Sequence, residues 1–239
     1  MTVKKPNSPG LATSDRLKKI LARLEKTHPD AKLDLDFTNP LELLIALILA
    51  AQARDDLVTK ITPELFKTNR TAADYAKRPL PELEKQIGKI NFYRNKAKSI
   101  HNCCTELVER FGGKVPDNLE DLVSLPGVGR KTANVVLGNG FGRQTIGVDT
   151  HVMRLSQRLG FTSQTDPDKI ETDLMAIVPP KQRVRFCHLM QYHGRRICVA
   201  KNRNARSARS KISARIPERP KAPSPKPHRE FNTPPCFST

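Results

Sequence analysis

Apolar residues recur at the three- and four-residue spacing of an α-helix over most of the chain between Ser14 and Ile197. No segment alternates apolar and polar residues for long enough to predict a β-strand. The pattern therefore predicts an all-α protein. Ser14 is a candidate N-cap of the first helix, and Asn39-Pro40 begins a fully buried helix that runs through Ala51. The predicted helices cover residues 14–26, 40–51, 55–67, 71–77, 80–88, 94–111, 118–124, 130–138, 150–159, 167–177 and 181–195.

The two ends of the chain differ from this helical body. Residues 1–12 are polar and lack the apolar stretch of a secretory signal, and we expect them to be disordered. Seven prolines fall between Pro217 and Pro235, which predicts a disordered, basic tail over 216–239. The longest apolar stretch, 40–51, is well short of the roughly twenty residues that a membrane-spanning helix needs, so no membrane partner is expected.

Charge points to a polyanionic partner. The chain has 42 Lys and Arg against 24 Asp and Glu, a formal net charge of +18. Ten Lys and Arg and two Glu lie in 201–239, which is +8, so the preceding 200 residues still carry +10. An excess that extends over the folded part favours nucleic acid as the partner. Five cysteines without the spacing of a disulfide framework predict a reducing setting, in the cytoplasm and near the nucleoid.

The segment Leu125-Pro-Gly-Val-Gly-Arg-Lys131 joins two predicted helices and has the form of a helix-hairpin-helix. Its glycines let the backbone approach another molecule closely, and the amides at the start of the second helix favour an anion. Such a turn is suited to holding one DNA phosphate without reading sequence, whereas the alternative is an ordinary tight turn. The predicted DNA-binding hairpin residues are Leu125, Pro126, Gly127, Val128, Gly129 and Arg130.

Two residues near this hairpin are candidates for catalysis. Lys131 lies beside Arg130 at the positive end of the second helix, which disfavours its protonated form and suits it to attack a sugar C1′. Taken alone, a lysine at this place is more often a phosphate contact. Asp149 follows 18 residues later at the start of the next helix, where it is either an N-cap or a carboxylate that stabilises positive charge developing on a deoxyribose.

The run from Leu125 to Val136, followed by Val148-Asp-Thr-His-Val-Met-Arg154, closely resembles the endonuclease III family of DNA glycosylases with abasic-site lyase activity. The resemblance extends from about Leu17 to Cys198. It implies that Lys131 is the Schiff-base nucleophile and Asp149 the essential carboxylate. It also implies removal of an oxidised or otherwise damaged pyrimidine from double-stranded DNA, followed by strand cleavage 3′ to the abasic site through β-elimination.

The same resemblance implies an architecture of two helical lobes with a DNA-binding cleft between them. A central helical domain would cover 33–143 and include the hairpin at 125–131. The second lobe would combine 13–32 with 144–215. We expect the protein to act as a monomer.

Two further positions match the family. Gln52 would fill the gap left by a flipped nucleotide, since an amide can pair with an orphaned base. Phe92 would be the apolar wedge between base steps. Without the resemblance, Gln52 reads as a residue at a helix C-terminus and Phe92 as a half-buried loop aromatic.

The chain departs from the family at its usual iron–sulfur cluster, which four cysteines in the spacing C-x6-C-x2-C-x5-C hold. Cys198 supplies the first position, but the others are Ala205, Ala208 and Ala214, and Cys236 lies far into the tail. One thiolate cannot hold a cluster that needs four ligands, so we predict no metal and no cofactor. The degenerate loop 198–214 is still basic, which suits phosphate contact or a solvated tail.

Two alternative functions stay open at this point. The chain could be a non-catalytic DNA-binding module that uses the same hairpin, although a carboxylate at Asp149 would then only repel phosphates. It could also be a glycosylase for a different lesion or mismatch, because the hairpin does not determine which base is removed.

Overall fold

The structure, a computed structural model, describes residues 11–53 and 55–200, with side chains from Asp15 onward except that of Asp55. These residues form eleven α-helices, one short 3-10 turn at Pro180–Gln182 and no β-strand, which confirms the predicted all-α class. The helices are α1 (Leu11–Thr27), α2 (Pro40–Ala50), α3 (Asp55–Thr68), α4 (Ala72–Lys77), α5 (Leu80–Ile87), α6 (Tyr93–Phe111), α7 (Leu119–Ser124), α8 (Arg130–Gly140), α9 (Thr150–Arg158), α10 (Pro167–Ile177) and α11 (Arg183–Arg196).

The start of α1 corrects one prediction. The helix begins at Leu11, so Ser14 lies inside it and is not its N-cap. Leu11 and Ala12 are good helix formers that follow Pro9-Gly10 directly, and they extend the helix into the last two residues of the segment expected to be disordered. Residues 1–10 and the predicted tail at 216–239 lie outside the described residues.

The buried helix α2 forms as its sequence predicts. The Asn39 side chain accepts a hydrogen bond from the Glu42 amide at 3.0 Å, and Pro40 occupies the first turn, where its missing N–H costs nothing. All seven residues from Leu43 to Leu49 are buried. Such a helix is apolar on every side because other helices surround it.

The described residues have two hydrophobic cores. The first contains side chains of α2 to α8, from Leu35 to Leu137. The second joins α1 to α9, α10 and α11, with Leu17, Ile146 and Phe186 among its members. These cores define the two predicted helical lobes, while the residue boundaries proposed for the domains stay a prediction.

An ion pair joins α8 of the first core to α10 of the second. Arg130 donates to the Glu171 carboxylate through Nε and Nη2, both at 2.9 Å, and Asn134 donates to the same carboxylate at 2.8 Å. Glu171 is almost fully buried, so its charge needs these partners. This network fixes the first turn of α8 against the second lobe.

None of the described helices is both long enough and apolar enough to cross a membrane.

Candidate active site

A cavity of about 930 Å³ lies between the two lobes. Its walls come from the Leu33–Leu35 segment, α2, α3, α8, the start of α9, and α11. Lys131 and Asp149 both line it, so the structure brings together the two residues that the sequence selected for catalysis. A cavity of this size can hold a nucleotide-sized group.

Lys131 lies in the first turn of α8, immediately after the hairpin, and its side chain is exposed. Gly129 is the N-cap and makes no side-chain capping hydrogen bond, because it has no side chain. The positive end of the helix dipole therefore faces outward without an internal anion at its cap. This is the arrangement that favours a phosphate.

The hairpin is held by its apolar residues and shaped by one glycine. Leu125 and Val128 are buried, and the Val128 amide donates to the Leu125 carbonyl at 3.1 Å. Gly127 has φ +79°, and a Cβ there would lie 2.9 Å from the Cβ of Ser99. Only glycine fits both the left-handed backbone and the close contact with α6.

The side chain of Arg130, which the sequence placed among the DNA-binding hairpin residues, is occupied by Glu171. The hydrogen bonds to Glu171 raise the pKa of the guanidinium further above its usual value. Its contribution to an anion site is therefore its backbone position at the start of α8, while its side chain joins the lobes.

Asp149 is the N-cap of α9, as one of its two sequence interpretations proposed. Its Oδ1 accepts hydrogen bonds from the amides of His151 at 2.9 Å and Val152 at 2.7 Å. Both bonds use one oxygen, so they fix the side chain while its carboxylate lines the cavity. Capping and charge stabilisation are therefore compatible at this residue.

Gly147 allows the segment that carries Asp149 to pack closely against α8. A Cβ at this position would lie 2.8 Å from Cγ2 of Val135 and 3.4 Å from the carbonyl oxygen of Lys131. The absent side chain lets the segment before α9 lie directly against the first two turns of α8. The chain thus places the carboxylate of Asp149 and the amine of Lys131 on one cavity.

Gln52 and Phe92 share an unusual backbone conformation. Among the described non-glycine residues, only these two have positive φ, at +53° and +60°. Phe92 is 63% exposed, which contradicts its reading as a half-buried loop aromatic. Gln52 lies just past the C-terminus of α2 and is also exposed. Non-glycine residues held in this left-handed backbone region concentrate at functional sites.

Sequence reasoning missed several cavity residues. Asp34 accepts hydrogen bonds from the Tyr192 hydroxyl and, at 2.7 Å, from Arg195 Nη1. His151 lies beside Arg154, and burial lowers the pKa of its imidazole. Gln191 and Arg195 are four residues apart on α11, a spacing that puts them on one helix face and is the one signal that could have found them.

The residues at the family's cluster positions do not fit an iron–sulfur cluster. Cys198 is partly buried, and its sulfur accepts a hydrogen bond from Arg158 Nη1 at 2.9 Å. The other predicted positions, Ala205, Ala208 and Ala214, lie outside the described residues, as does Cys236, and an alanine side chain has no atom that can ligate iron. Within residues 11–53 and 55–200, no group of three or more His, Cys, Asp or Glu could hold a metal ion.

Comparison with known proteins identifies the class to which this architecture belongs. Residues 45–180 match the model of the HhH-GPD superfamily of base excision DNA repair proteins, which is the class that the hairpin and the two-lobed cavity define. Endonuclease III of Synechocystis sp. is 47% identical over 187 residues, which are 78% of this chain and 85% of that protein. Endonuclease III of Escherichia coli K12 is 40% identical over 182 residues, 76% of this chain and 86% of the relative.

A solved structure agrees with these relatives. The structure of a trapped endonuclease III–DNA covalent intermediate, an estranged-adenine complex, matches with a TM-score of 0.75 and 44% identity, over 79% of this chain and 89% of that one. The chain belongs to the endonuclease III family.

Proposed function

We propose that this chain is a base-excision repair enzyme that removes damaged pyrimidines from double-stranded DNA and then cleaves the strand at the abasic site. One observation carries the assignment of residues: in a member of the endonuclease III family, Lys131 and Asp149 line the same interlobe cavity. Each lies at the start of a helix, on opposite lobes.

Double-stranded DNA is the partner, and its backbone meets the start of α8. The uncapped helix N-terminus and the glycine backbone of the hairpin bind one phosphate. The net charge of +18 supplies the general attraction to DNA. Neither contact depends on base sequence, which suits an enzyme that must examine any site.

The damaged nucleotide leaves the duplex before the chemistry begins, because its C1′ is otherwise out of reach. Phe92, exposed on a strained backbone, inserts between base steps, and Gln52 pairs with the base left behind. The extruded nucleotide enters the cavity that Lys131 and Asp149 line. These two roles rest on the exposure and conformation of the two residues together with the family resemblance.

Lys131 acts as the nucleophile. Its neutral amine attacks C1′, the glycosidic bond breaks, and the base departs with the bonding electron pair and takes up a proton. Loss of a proton from the nitrogen and opening of the sugar ring give the Schiff base. Asp149 stabilises the positive charge that develops on the sugar as the bond breaks, with its rotamer fixed by the cap.

Strand cleavage follows from the Schiff base. A proton leaves C2′, the C3′–O bond breaks, and the 3′ phosphate departs with the electron pair. Water then hydrolyses the imine and regenerates Lys131. A relative of 44% identity solved as a trapped covalent intermediate with DNA supports a covalent route.

We also propose that the protein works without an iron–sulfur cluster. The support is the set of possible iron ligands. Cys198 is the one cysteine at the four family positions, and its sulfur accepts a hydrogen bond from Arg158. Iron and sulfide analysis with a visible spectrum tests this on the purified full chain. We expect no stoichiometric iron; about four iron atoms per chain would contradict the proposal.

Borohydride trapping tests the catalytic assignment. Wild-type protein and a duplex with one oxidised pyrimidine should give a covalent adduct that Lys131→Ala abolishes. Lys67→Ala is the matched control, because Lys67 is an exposed lysine on α3 that pairs with Glu64 and lies outside the cavity, and it should trap like wild type. Intact DNA binding with no adduct on damaged or abasic DNA would instead favour a non-catalytic binding module.

A further inference from the structure

One polar side chain in the cavity has no role in the chemistry described above. Gln191 lies on α11 and is only 8% exposed, yet it lines the same cavity as Lys131 and Asp149. Among the described residues, its carboxamide has no hydrogen-bond partner. Its amide atoms are not among the desolvated, unpaired polar atoms of the described residues, so they face the open cavity and water can pair with them. A ligand that displaces this water must pair with the amide in its place, or the amide loses its hydrogen bonds.

The neighbouring polar groups differ from Gln191 in this respect. Asp34 is bonded to Tyr192 and Arg195, and His151 lies 3.2 Å from Arg154. The carboxylate of Asp34 thus joins the Leu33–Leu35 segment to α11, and Nδ1 of His151 faces Arg154 within α9. Gln191 therefore offers a donor and an acceptor that the folded protein itself does not consume.

The position of Gln191 suits the base of an extruded nucleotide. When Lys131 attacks C1′, the base attached to that carbon must extend into the remaining space of the cavity. The cavity lining also includes the apolar side chains of Leu47 and Val135, which can contact the faces of a ring. An apolar lining with a few polar groups that fix the orientation of the ligand is typical of sites for small organic molecules.

We propose that Gln191 reads the pairing edge of the extruded pyrimidine, an inference that rests on the proposed function. Its oxygen accepts the N3–H of a thymine-derived base while its NH₂ donates to a ring carbonyl. Turned by half a rotation, the same amide accepts from the amino group of a cytosine-derived base and donates to N3. Damage at C5 and C6 leaves this edge intact, so one amide serves pyrimidine lesions of both kinds.

Purines do not present the same edge at the same distance from C1′. Gln191 therefore selects pyrimidine over purine, while the ease of extruding a damaged base selects lesions over normal pyrimidines. The two steps divide specificity between the cavity and the duplex.

The test compares a substrate that carries a base with one that has none. Gln191→Leu keeps the size of the side chain and removes its hydrogen bonds, and Gln191→Glu keeps an acceptor but loses the donors. On duplex containing 5,6-dihydrouracil, both variants should lose about 10- to 100-fold in kcat/KM for base release. On a duplex with a preformed abasic site, strand cleavage should stay within about twofold of wild type, because there is no base to read.

The outcomes separate this inference from the proposed function. Equal losses on both substrates, or no loss on either, would overturn the role of Gln191. Wild-type protein that cleaves neither substrate would instead refute the proposed function. Gln86→Leu is the matched control, since Gln86 bonds Asn69 and Thr68 outside the cavity, and its rates should equal those of wild type. Circular dichroism identifies a misfolded Gln191→Leu, in which case Gln191→Glu carries the test.

Discussion

Replacing Glu171 with Gln removes the charge that holds α8 to α10. The Glu171 carboxylate accepts three hydrogen bonds, two from Arg130 at 2.9 Å and one from Asn134 at 2.8 Å. In Glu171→Gln, the amide NH₂ faces one of these donors, so at least one bond is lost, and the Arg130 charge keeps only the more distant and exposed carboxylate of Asp168, at 3.6 Å.

The magnitude follows from burial. Hydrogen bonds to charged groups contribute about 1.5–3 kcal/mol each. The Glu171 side chain is 11% exposed but that of Arg130 is 43% exposed, so water recovers part of the loss. We expect a destabilisation of about 2–3 kcal/mol, which is a fall in Tm of about 5–10 °C for a folded part of this size.

Thermal unfolding followed by circular dichroism measures this change, and a double-mutant cycle assigns it. Arg130→Met should remove the same interaction, so Glu171→Gln combined with Arg130→Met should cost less than the sum of the single changes. Asp168→Asn is the control, because Asp168 is 3.6 Å from Arg130 and largely exposed, and it should cost less than about 0.5 kcal/mol. A Tm fall below about 2 °C, or strictly additive variants, would refute the reasoning.

Three further predictions concern the hairpin, a buried histidine and the charge. Gly127→Ala should weaken binding to undamaged duplex at least tenfold and destabilise the protein by about 1–3 kcal/mol, because φ is +79° and the new Cβ would meet Ser99; unchanged affinity in a binding titration would contradict this. Burial and the nearby His28 lower the pKa of His193 to about 4, so the unfolded chain binds more protons between pH 6.5 and 4. The contribution of neutral His193 to the free energy of unfolding is thus fully present above about pH 6.5 and falls by up to about 2 kcal/mol at pH 5. Denaturant titrations at pH 7 and pH 5 measure this difference, and it should be smaller in His193→Gln. Affinity for undamaged duplex should fall steeply between 50 and 200 mM salt, and a flat response would contradict phosphate binding.

Local signals in the sequence predict local structure well here. The Asn39 cap, the proline after it and the unbroken apolar run that follows each favour the same buried helix, and α2 has those bounds to within one residue. Lys131 and Asp149 are identified by motifs whose spacing places each at a helix start. Both kinds of signal depend on residues close together along the chain.

Long-range contacts are what the sequence does not show. The bond between Arg130 and Glu171 joins residues 41 positions apart, and nothing near Arg130 indicates that its side chain is already occupied. Gln191 is similar, since α11 is rich in polar residues and its apolar pattern is weak. Its buried face therefore includes Gln191 and His193 for reasons that appear only when α8, α9 and α1 pack against it. The predicted start of α1 at Ser14 was wrong because a residue type that is a good N-cap can equally lie inside a helix.

The central claim is that Lys131 carries the bond to DNA. The most direct measurement is mass spectrometry of the peptides from wild-type protein trapped by borohydride on a duplex with one oxidised pyrimidine. We expect the reduced sugar fragment on the peptide that contains Lys131, attached to that residue. Attachment to another lysine or to the terminal amine would contradict it.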